Sequence, residues 1–262
     1  VRALRVGAMS FANDPMARRQ LGADLALLTV VTIWGATFVM VQDAVRDFPV
    51  FAFLTVRFVL ATLVLLPLAW REAPGLPIDR RFLLEGALMG VALAARYGFQ
   101  TMGLRFTTPA RAGFITGLYV ILVPILGLAL GQRAGAWTWL GALAGVSGLY
   151  LLAVTEALTI EYGDGLVLIG ALFWTLHVHL IARLAAPIGA LRLALIQFIV
   201  CALLSFLAAL GVETIRAQDV LDAALPILYT GILSVGVAYT FQVIGQRETP
   251  PAQAAIILSL ET

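Results

Sequence analysis

ARYGFQTMGLRFTTPARAGFITGLYVILVP, residues 95–124, decides the fold, because the chain repeats its outline near the end. The second copy, VAYTFQVIGQRETPPAQAAIILSLET, covers residues 237–262 and is offset by 142 positions. Identities at one fixed offset indicate an internal repeat rather than chance similarity of apolar stretches. The identical pairs are Tyr97 and Tyr239, Phe99 and Phe241, Gln100 and Gln242, Gly103 and Gly245, Arg105 and Arg247, and Pro109 and Pro251.

The composition indicates an integral membrane protein. Hydrophobic residues make up 61% of the 262 positions and charged residues only 12%. Soluble domains contain about 25% charged residues. A soluble protein of this length has no core large enough to hide so much apolar surface.

The cysteine and charge content excludes several kinds of site. Cys201 is the single cysteine and lies in an apolar run, so we expect neither a disulfide framework nor a cysteine-based metal site. The chain has no HExxH motif, and we predict no cofactor, no metal and no enzymatic activity. All 17 basic residues are arginines, and their placement reflects membrane topology rather than nucleic-acid binding.

Apolar runs of about 20 residues, the length that crosses a bilayer core about 30 Å thick, occur eight times. A ninth run begins at residue 250 or 251 and is about 12 residues long where the sequence ends. We number these runs spans 1 to 9. The eight complete spans are predicted at 24–42, 50–70, 83–103, 109–131, 137–154, 164–182, 188–210 and 224–244.

Arginine placement predicts the orientation in the membrane, because cytoplasmic loops are enriched in positive charge. A cytoplasmic N-terminus gives the inner segments the larger share of arginines. The inner set is Arg2, Arg5, Arg18, Arg19, Arg71, Arg80, Arg81, Arg133, Arg183 and Arg247, and the outer set is Arg46, Arg105, Arg111 and Arg216.

The repeat extends beyond the opening stretch and defines a unit of five helices. Trp34 precedes Trp174 by 140 positions, and RFVLATL (57–63) precedes QFIVCAL (197–203) by the same interval. An odd number of spans puts the two copies in opposite orientations, as in transporters with a site near the bilayer midplane. We therefore predict an all-α membrane protein with a 5+5 inverted repeat. The parts are a cytoplasmic tail (1–23), a first repeat (24–154) and a second repeat (164–262), and the end of helix 9 and all of helix 10 are expected beyond residue 262.

Three stretches carry a family resemblance: TVVTIWGATFV (29–39), VRFVLATLVLLPLAW (56–70) and LRFTTPARAGFITGLYVILVPIL (104–126). They resemble the EamA-like proteins of the drug/metabolite transporter superfamily, and SLET (259–262) resembles the start of that family's helix 9 signature. The resemblance implies ten helices in two inverted repeats. It also implies transport of small metabolites, often efflux of amino acids or related solutes, in a bacterial-type inner (plasma) membrane.

Two arginines within spans are candidates for binding solute. A charged side chain in the bilayer costs about 2.5–3.5 kcal/mol at a helix centre, so it usually faces a cavity or a partner. Arg57 either anchors a carboxylate-bearing solute or is a structural residue that bonds to backbone carbonyls or snorkels outward. Its repeat mate, the neutral Gln197, is also a candidate for cavity lining. Arg96, one turn from Gln100, has the same two interpretations.

Aromatic and amide side chains recur on spans 3 and 8 at a spacing of three, which places each pair on one helix face. Such faces either line a cavity or pack helices together through hydrogen bonds worth about 0.6 kcal/mol each. The candidates for cavity lining are Tyr97, Gln100, Tyr239 and Gln242, followed by Trp34, Trp174 and Tyr119.

Two titratable residues are candidates for proton coupling. Glu261 lies about ten residues into span 9, roughly 15 Å along the helix axis and so near the midplane. It either titrates during transport or pairs with a buried arginine. His177, on one face with Trp174, is either a proton carrier or a core histidine.

Other functions remain open at this stage. A membrane-embedded or lipid-modifying enzyme would need carboxylates or histidines clustered at one depth, and a membrane scaffold would need none. Glycines at four-residue spacing, such as Gly141 and Gly145, let helices approach closely. They serve either internal packing or a homodimer. Pro124 is expected to kink span 4.

Overall fold

The computed structural model describes residues 15–72, 79–153, 161–214 and 217–261. Within these ranges the chain is almost entirely helical and contains no strand. The helices are Pro15–Trp34, Thr37–Asp47, Val50–Glu72, Arg80–Gly103, Pro109–Gly117, Tyr119–Ala129, Ala136–Ala153, Tyr162–Ile188, Ala190–Val212, Ala217–Asp222, Ala224–Leu228, Tyr229–Tyr239, Thr240–Gln246, Pro251–Leu258 and Ser259–Glu261.

Seven segments of the described chain are long and apolar enough to cross a membrane, and they coincide with spans 1–4 and 6–8. Span 5 is the helix Ala136–Ala153, and its expected last residue, 154, lies outside the described residues. Span 9 consists of the helix Pro251–Leu258 and a 3₁₀ turn, Ser259–Glu261. The protein is therefore an all-α, multi-pass membrane protein.

Three spans are not regular along their whole length. Span 1 breaks at residues 35–36, between the helices Pro15–Trp34 and Thr37–Asp47. The middle of span 8, Tyr229–Tyr239, is π-helical. Span 4 is interrupted at Leu118, and Pro124, where the sequence predicts a kink, lies within the helix that follows. Discontinuous helices of this kind line solute sites in secondary transporters.

Spans 3 and 6 pack together in the same way as spans 8 and 1. A Cβ atom on Gly103 would lie 2.8 Å from the carbonyl oxygen of Gly163, and one on Gly245 would lie 3.0 Å from that of Ala23. The first contact requires glycine, since real Cβ atoms essentially never come so close to backbone, and the second is tighter than most real Cβ contacts. Gly103 and Gly245 are repeat mates, and Gly163 follows Ala23 by 140 positions.

Spans 2 and 7 cap each other's N-terminal ends. The Glu72 carboxylate accepts hydrogen bonds from the backbone N–H groups of Leu191, at 3.0 Å, and the next residue, at 3.2 Å. The Glu213 carboxylate accepts from the N–H groups of Phe51, at 2.9 Å, and the next residue, at 2.8 Å. These N–H groups have no partner within their own helices. The two glutamates thus join the antiparallel pair at both ends.

Two glycines of span 5, Gly141 and Gly145, pack against neighbouring spans. A Cβ atom on Gly141 would lie 3.0 Å from Cδ1 of Ile256 in span 9, and one on Gly145 would lie 3.5 Å from Cγ2 of Val120 in span 4. The spacing of these glycines allowed either internal packing or a homodimer, and in this structure they serve internal packing.

An ion-pair network joins the start of span 4 to the start of span 6. The Arg111 guanidinium contacts Glu161 at 2.7 Å and Asp164 at 2.8 Å. Thr107 donates a hydrogen bond of 2.6 Å to Asp164. Asp164 and Glu161 also form a capping box at the N-terminus of span 6. The network closes the bundle at the end that the arginine pattern assigns to the outer face.

Candidate functional site

A narrow cleft lies between spans 1, 2, 3, 8 and 9. It contains about 340 Å³ of space between atoms, its open mouth included. Both sides of the break in span 1 contribute to its wall, and the second helix of that span begins there, at Thr37. Six of the twelve residues that the sequence singles out line the cleft: Trp34, Arg57, Arg96, Tyr97, Gln100 and Glu261.

Arg57 is held by span 8 and forms part of the cleft wall. Its side chain is buried, with Nε donating to the carbonyl oxygen of Thr230 at 3.3 Å and Nη2 donating to Oγ of Ser234 at 3.1 Å. The guanidinium carbon lies 4.7 Å from the centre of the Tyr97 ring. Arg57 therefore has the backbone bond of a structural arginine and also a cleft-lining position.

Arg96 lies between two aromatic rings. Its guanidinium carbon is 4.1 Å from the ring centre of Tyr97 and 4.2 Å from that of Trp174. Aromatic faces attract a cation and leave the N–H edge of the guanidinium available. Nε of Arg96 is buried and has no hydrogen-bond partner among the described residues.

Glu261 brings a carboxylate to the same cleft. It is buried in the final 3₁₀ turn, and its Oε1 atom has no hydrogen-bond partner within the described ranges. In the same part of the chain it forms no ion pair with Arg57 or Arg96. The cleft thus combines two cations with one carboxylate, and the unpartnered Oε1 of that carboxylate is free to take up a donor.

Four of the remaining candidates form a second, buried polar cluster. The hydroxyl of Tyr239 lies 2.7 Å from Oε1 of Gln197 and 2.6 Å from Nε2 of His177. His177 Nε2 is 2.6 Å from the same Gln197 oxygen. An amide oxygen only accepts, so the Tyr239 hydroxyl and the protonated Nε2 both donate to it. The indole of Trp174 stacks on the imidazole of His177, with 5.5 Å between ring centres.

The last two candidates, Tyr119 and Gln242, neither line the cleft nor share the hydrogen bonds of the buried cluster. Tyr119 packs edge-on against Trp174, at 6.3 Å between ring centres, and its buried hydroxyl has no partner in the described chain. Gln242 donates to Gln246 at 3.3 Å. Its repeat mate Gln100 instead donates to Thr116 in span 4, at 3.0 Å.

Ser234 and Thr37 are site residues that the sequence analysis missed. Ser234 Oγ contacts Arg57 and lies 3.2 Å from the Thr37 hydroxyl, while the carbonyl oxygen of Ser234 accepts from Nε1 of Trp34 at 2.8 Å. The repeat offset could have identified Thr37, because this residue precedes the candidate His177 by 140 positions. Ser234 has Ala92 as its repeat mate, so the offset gives no signal for it.

The chemistry of the cleft is that of binding. Two guanidinium groups suit a carboxylate, because their N–H donors match its oxygens. The rings of Trp34 and Tyr97 offer apolar faces. Among the described residues, no three histidine, cysteine, aspartate or glutamate side chains come together in a way that would hold a metal ion.

Comparison with known proteins places the chain in a family. The profile of the EamA-like transporter family matches residues 21–154 and 161–262. An uncharacterized transporter of Archaeoglobus fulgidus is 34% identical over 93% of this chain and 75% of its own length. The uncharacterized inner membrane transporter YedA of Escherichia coli is 26% identical over 87% of this chain and 76% of its own length.

A solved structure shares the fold. It superposes with a TM-score of 0.75 at 19% sequence identity, over 91% of this chain and 84% of its own. At that identity the likeness concerns the fold alone. The family match covers nearly all of the described residues, and on it the chain belongs to the EamA-like transporter family.

Proposed function

We propose that the protein is a secondary transporter that exports a small organic metabolite, an amino acid or a related solute, across the inner membrane by alternating access. The observation that carries the proposal is the cleft with the buried guanidiniums of Arg57 and Arg96 and the carboxylate of Glu261. Buried charges without a matching ion pair are expensive, so a membrane protein keeps them where they serve a function.

The atoms left unpaired at the cleft match an amino acid. Nε of Arg96 is a donor without a described partner, and Oε1 of Glu261 is an acceptor without one. A solute carboxylate would pair with the arginine and a solute ammonium with the glutamate. The second helix of span 1 adds a positive helix N-terminus at Thr37, where no side chain caps the first N–H groups.

Alternating access rests on the inverted repeat, with repeats at 24–154 and 164–262 and a cytoplasmic N-terminus. The glycine contacts of Gly103 and Gly245, and the reciprocal caps of Glu72 and Glu213, pair equivalent positions of the two halves. They support a pseudo-two-fold axis in the membrane plane, about which the halves rock.

Proton coupling is assigned to Glu261, with His177 as the second candidate. A carboxylate in the wall of the cleft that lacks an ion pair with Arg57 or Arg96 can exchange a proton for solute. The carboxylate then carries a proton in one half of the cycle and the solute ammonium in the other.

The test is flux in proteoliposomes. The purified protein is reconstituted, and a panel of radiolabelled amino acids is screened for exchange with and without an imposed pH gradient. We expect at least one amino acid to move, Arg57→Gln and Arg96→Gln to abolish that movement, and Arg81→Gln, an exposed arginine at the start of span 3, to leave it intact. Absence of protein-dependent flux for every amino acid, or full activity of both cleft variants, would refute the proposal.

A further inference from the structure

We propose that the buried cluster of Trp174, His177, Gln197 and Tyr239 is a second solute-binding surface, the counterpart of the cleft, which opens to the opposite face of the membrane. The inference rests on the proposed function, since it requires two access states. It identifies the residues that would bind solute in the second access state, the one that is closed in this structure.

The first argument is the correspondence of residues. Each member of the buried cluster is the repeat mate of a residue that lines the cleft, at an offset of 140 or 142 positions. The pairs are Trp34 with Trp174, Thr37 with His177, Arg57 with Gln197, and Tyr97 with Tyr239.

The second argument is the correspondence of contacts. In the cleft, the span 2 residue Arg57 lies over the ring of Tyr97 and shares Ser234 with Thr37. In the buried cluster, the span 7 residue Gln197 contacts the span 8 tyrosine and the span 6 histidine. Each repeat thus brings together its first, second and third helices around one polar centre, although the cleft also takes Ser234 from the third helix of the second repeat.

The two centres meet at the tryptophans. The rings of Trp34 and Trp174 are in edge-to-face contact at 5.6 Å between centres. The guanidinium of Arg96, which lines the cleft, lies over the ring of Trp174, and the imidazole of His177 stacks on the same ring. The tryptophan pair is therefore the point where the open centre meets the closed one.

The third argument is the unpaired polar atoms of the closed centre. His177 and Trp174 are fully buried, and neither Nδ1 of the histidine nor Nε1 of the tryptophan has a hydrogen-bond partner among the described residues. With its Nε2 donating, Nδ1 of His177 is a bare acceptor. Leaving a buried polar group unpaired is costly, and such groups in native proteins are few and often functional.

The experiment measures which membrane face reaches each centre and requires no solute. Single-cysteine variants are made in the Cys201→Ala background: Thr37→Cys for the cleft, His177→Cys for the buried centre, and Val167→Cys as a control in the tight contact between spans 3 and 6. Tyr239→Cys provides a second probe of the buried centre in case His177→Cys does not fold. Right-side-out and inside-out membrane vesicles are treated with the impermeant thiol reagent 2-sulfonatoethyl methanethiosulfonate.

We expect Thr37→Cys to be modified from one face only and His177→Cys and Tyr239→Cys from the opposite face only, with Val167→Cys unmodified from both. If neither buried-centre variant is labelled from either face, the proposal is overturned. Labelling of these variants from the same face as Thr37→Cys would also overturn it. The result is separable from the flux assay: opposite-face labelling without flux would overturn the transport proposal and leave two access states standing. Flux without labelling of the buried centre would overturn the second binding surface and leave the transport proposal standing.

Discussion

Replacing Glu213 by alanine should destabilise the protein through the N-terminus of span 2. The change deletes two hydrogen bonds of 2.8–2.9 Å between the carboxylate and the backbone N–H groups at the start of the helix Val50–Glu72. Loss of a helix cap costs about 0.5–2 kcal/mol, and charge-assisted bonds lie at the upper end of hydrogen-bond strength. Because Glu213 is half-buried, water can replace only part of the lost hydrogen bonding. We therefore expect the free energy of unfolding to fall by about 1–2 kcal/mol.

The assay is thermal unfolding of the purified protein in detergent, where about 1–2 kcal/mol corresponds to a Tm lower by roughly 2–8 °C for a chain of this length. Glu72→Ala removes the equivalent cap at the other end of the pair. It should cost less, about 0.5–1 kcal/mol, because Glu72 is exposed. Glu248→Ala, an exposed glutamate after span 8, is the matched control and should leave Tm unchanged. A Tm for Glu213→Ala equal to that of the control would refute the reciprocal capping.

Three further predictions use the same unfolding measurement. Gly103→Ala should destabilise by about 1–3 kcal/mol, because its Cβ would lie 2.6 Å from a side-chain atom of span 6. Gly22→Ala, whose Cβ meets nothing within 4 Å, should stabilise by up to about 1 kcal/mol through helix propensity, and equal effects of the two changes would contradict the packing. Arg111→Gln should cost about 1–2 kcal/mol, since it strips the cation from the buried carboxylate of Asp164; a variant as stable as the parent would show that the network is not stabilising. Tyr239→Phe should cost about 0.6 kcal/mol, the usual value of a hydrogen bond within a membrane bundle, and a more stable variant would contradict the assigned bonds to the amide and imidazole.

The positions of the spans were predictable because bilayer thickness sets their length and charged or glycine- and proline-rich segments mark their ends. The same physics does not locate the breaks inside them. A glycine such as Gly35 is compatible with a continuous helix. The hydrogen bond beside the break joins Trp34 to the carbonyl oxygen of Ser234, which is 200 positions away in the sequence. The π-helical middle of span 8 has no local sequence signal either.

The candidate residues were predictable from charge and repetition, since a polar side chain in an apolar span stands out. Their division into two groups was not. Arg57 and Gln197 are repeat mates in similar helices, yet one lines the open cleft and the other a closed cluster. That difference depends on contacts between residues far apart in the sequence, which neither local sequence contains. Ser234 escaped prediction because serine bonds readily within a helix and carries no charge.

The binding of a solute carboxylate by Arg57 and Arg96 is the central claim, and one comparison tests it most directly. In proteoliposomes, exchange of the transported amino acid is measured in competition with its carboxamide, which keeps the ammonium and the side chain but lacks the negative charge. The account predicts that the acid competes and the carboxamide does not. A carboxamide that competes as well as the acid in the unmodified protein would contradict it.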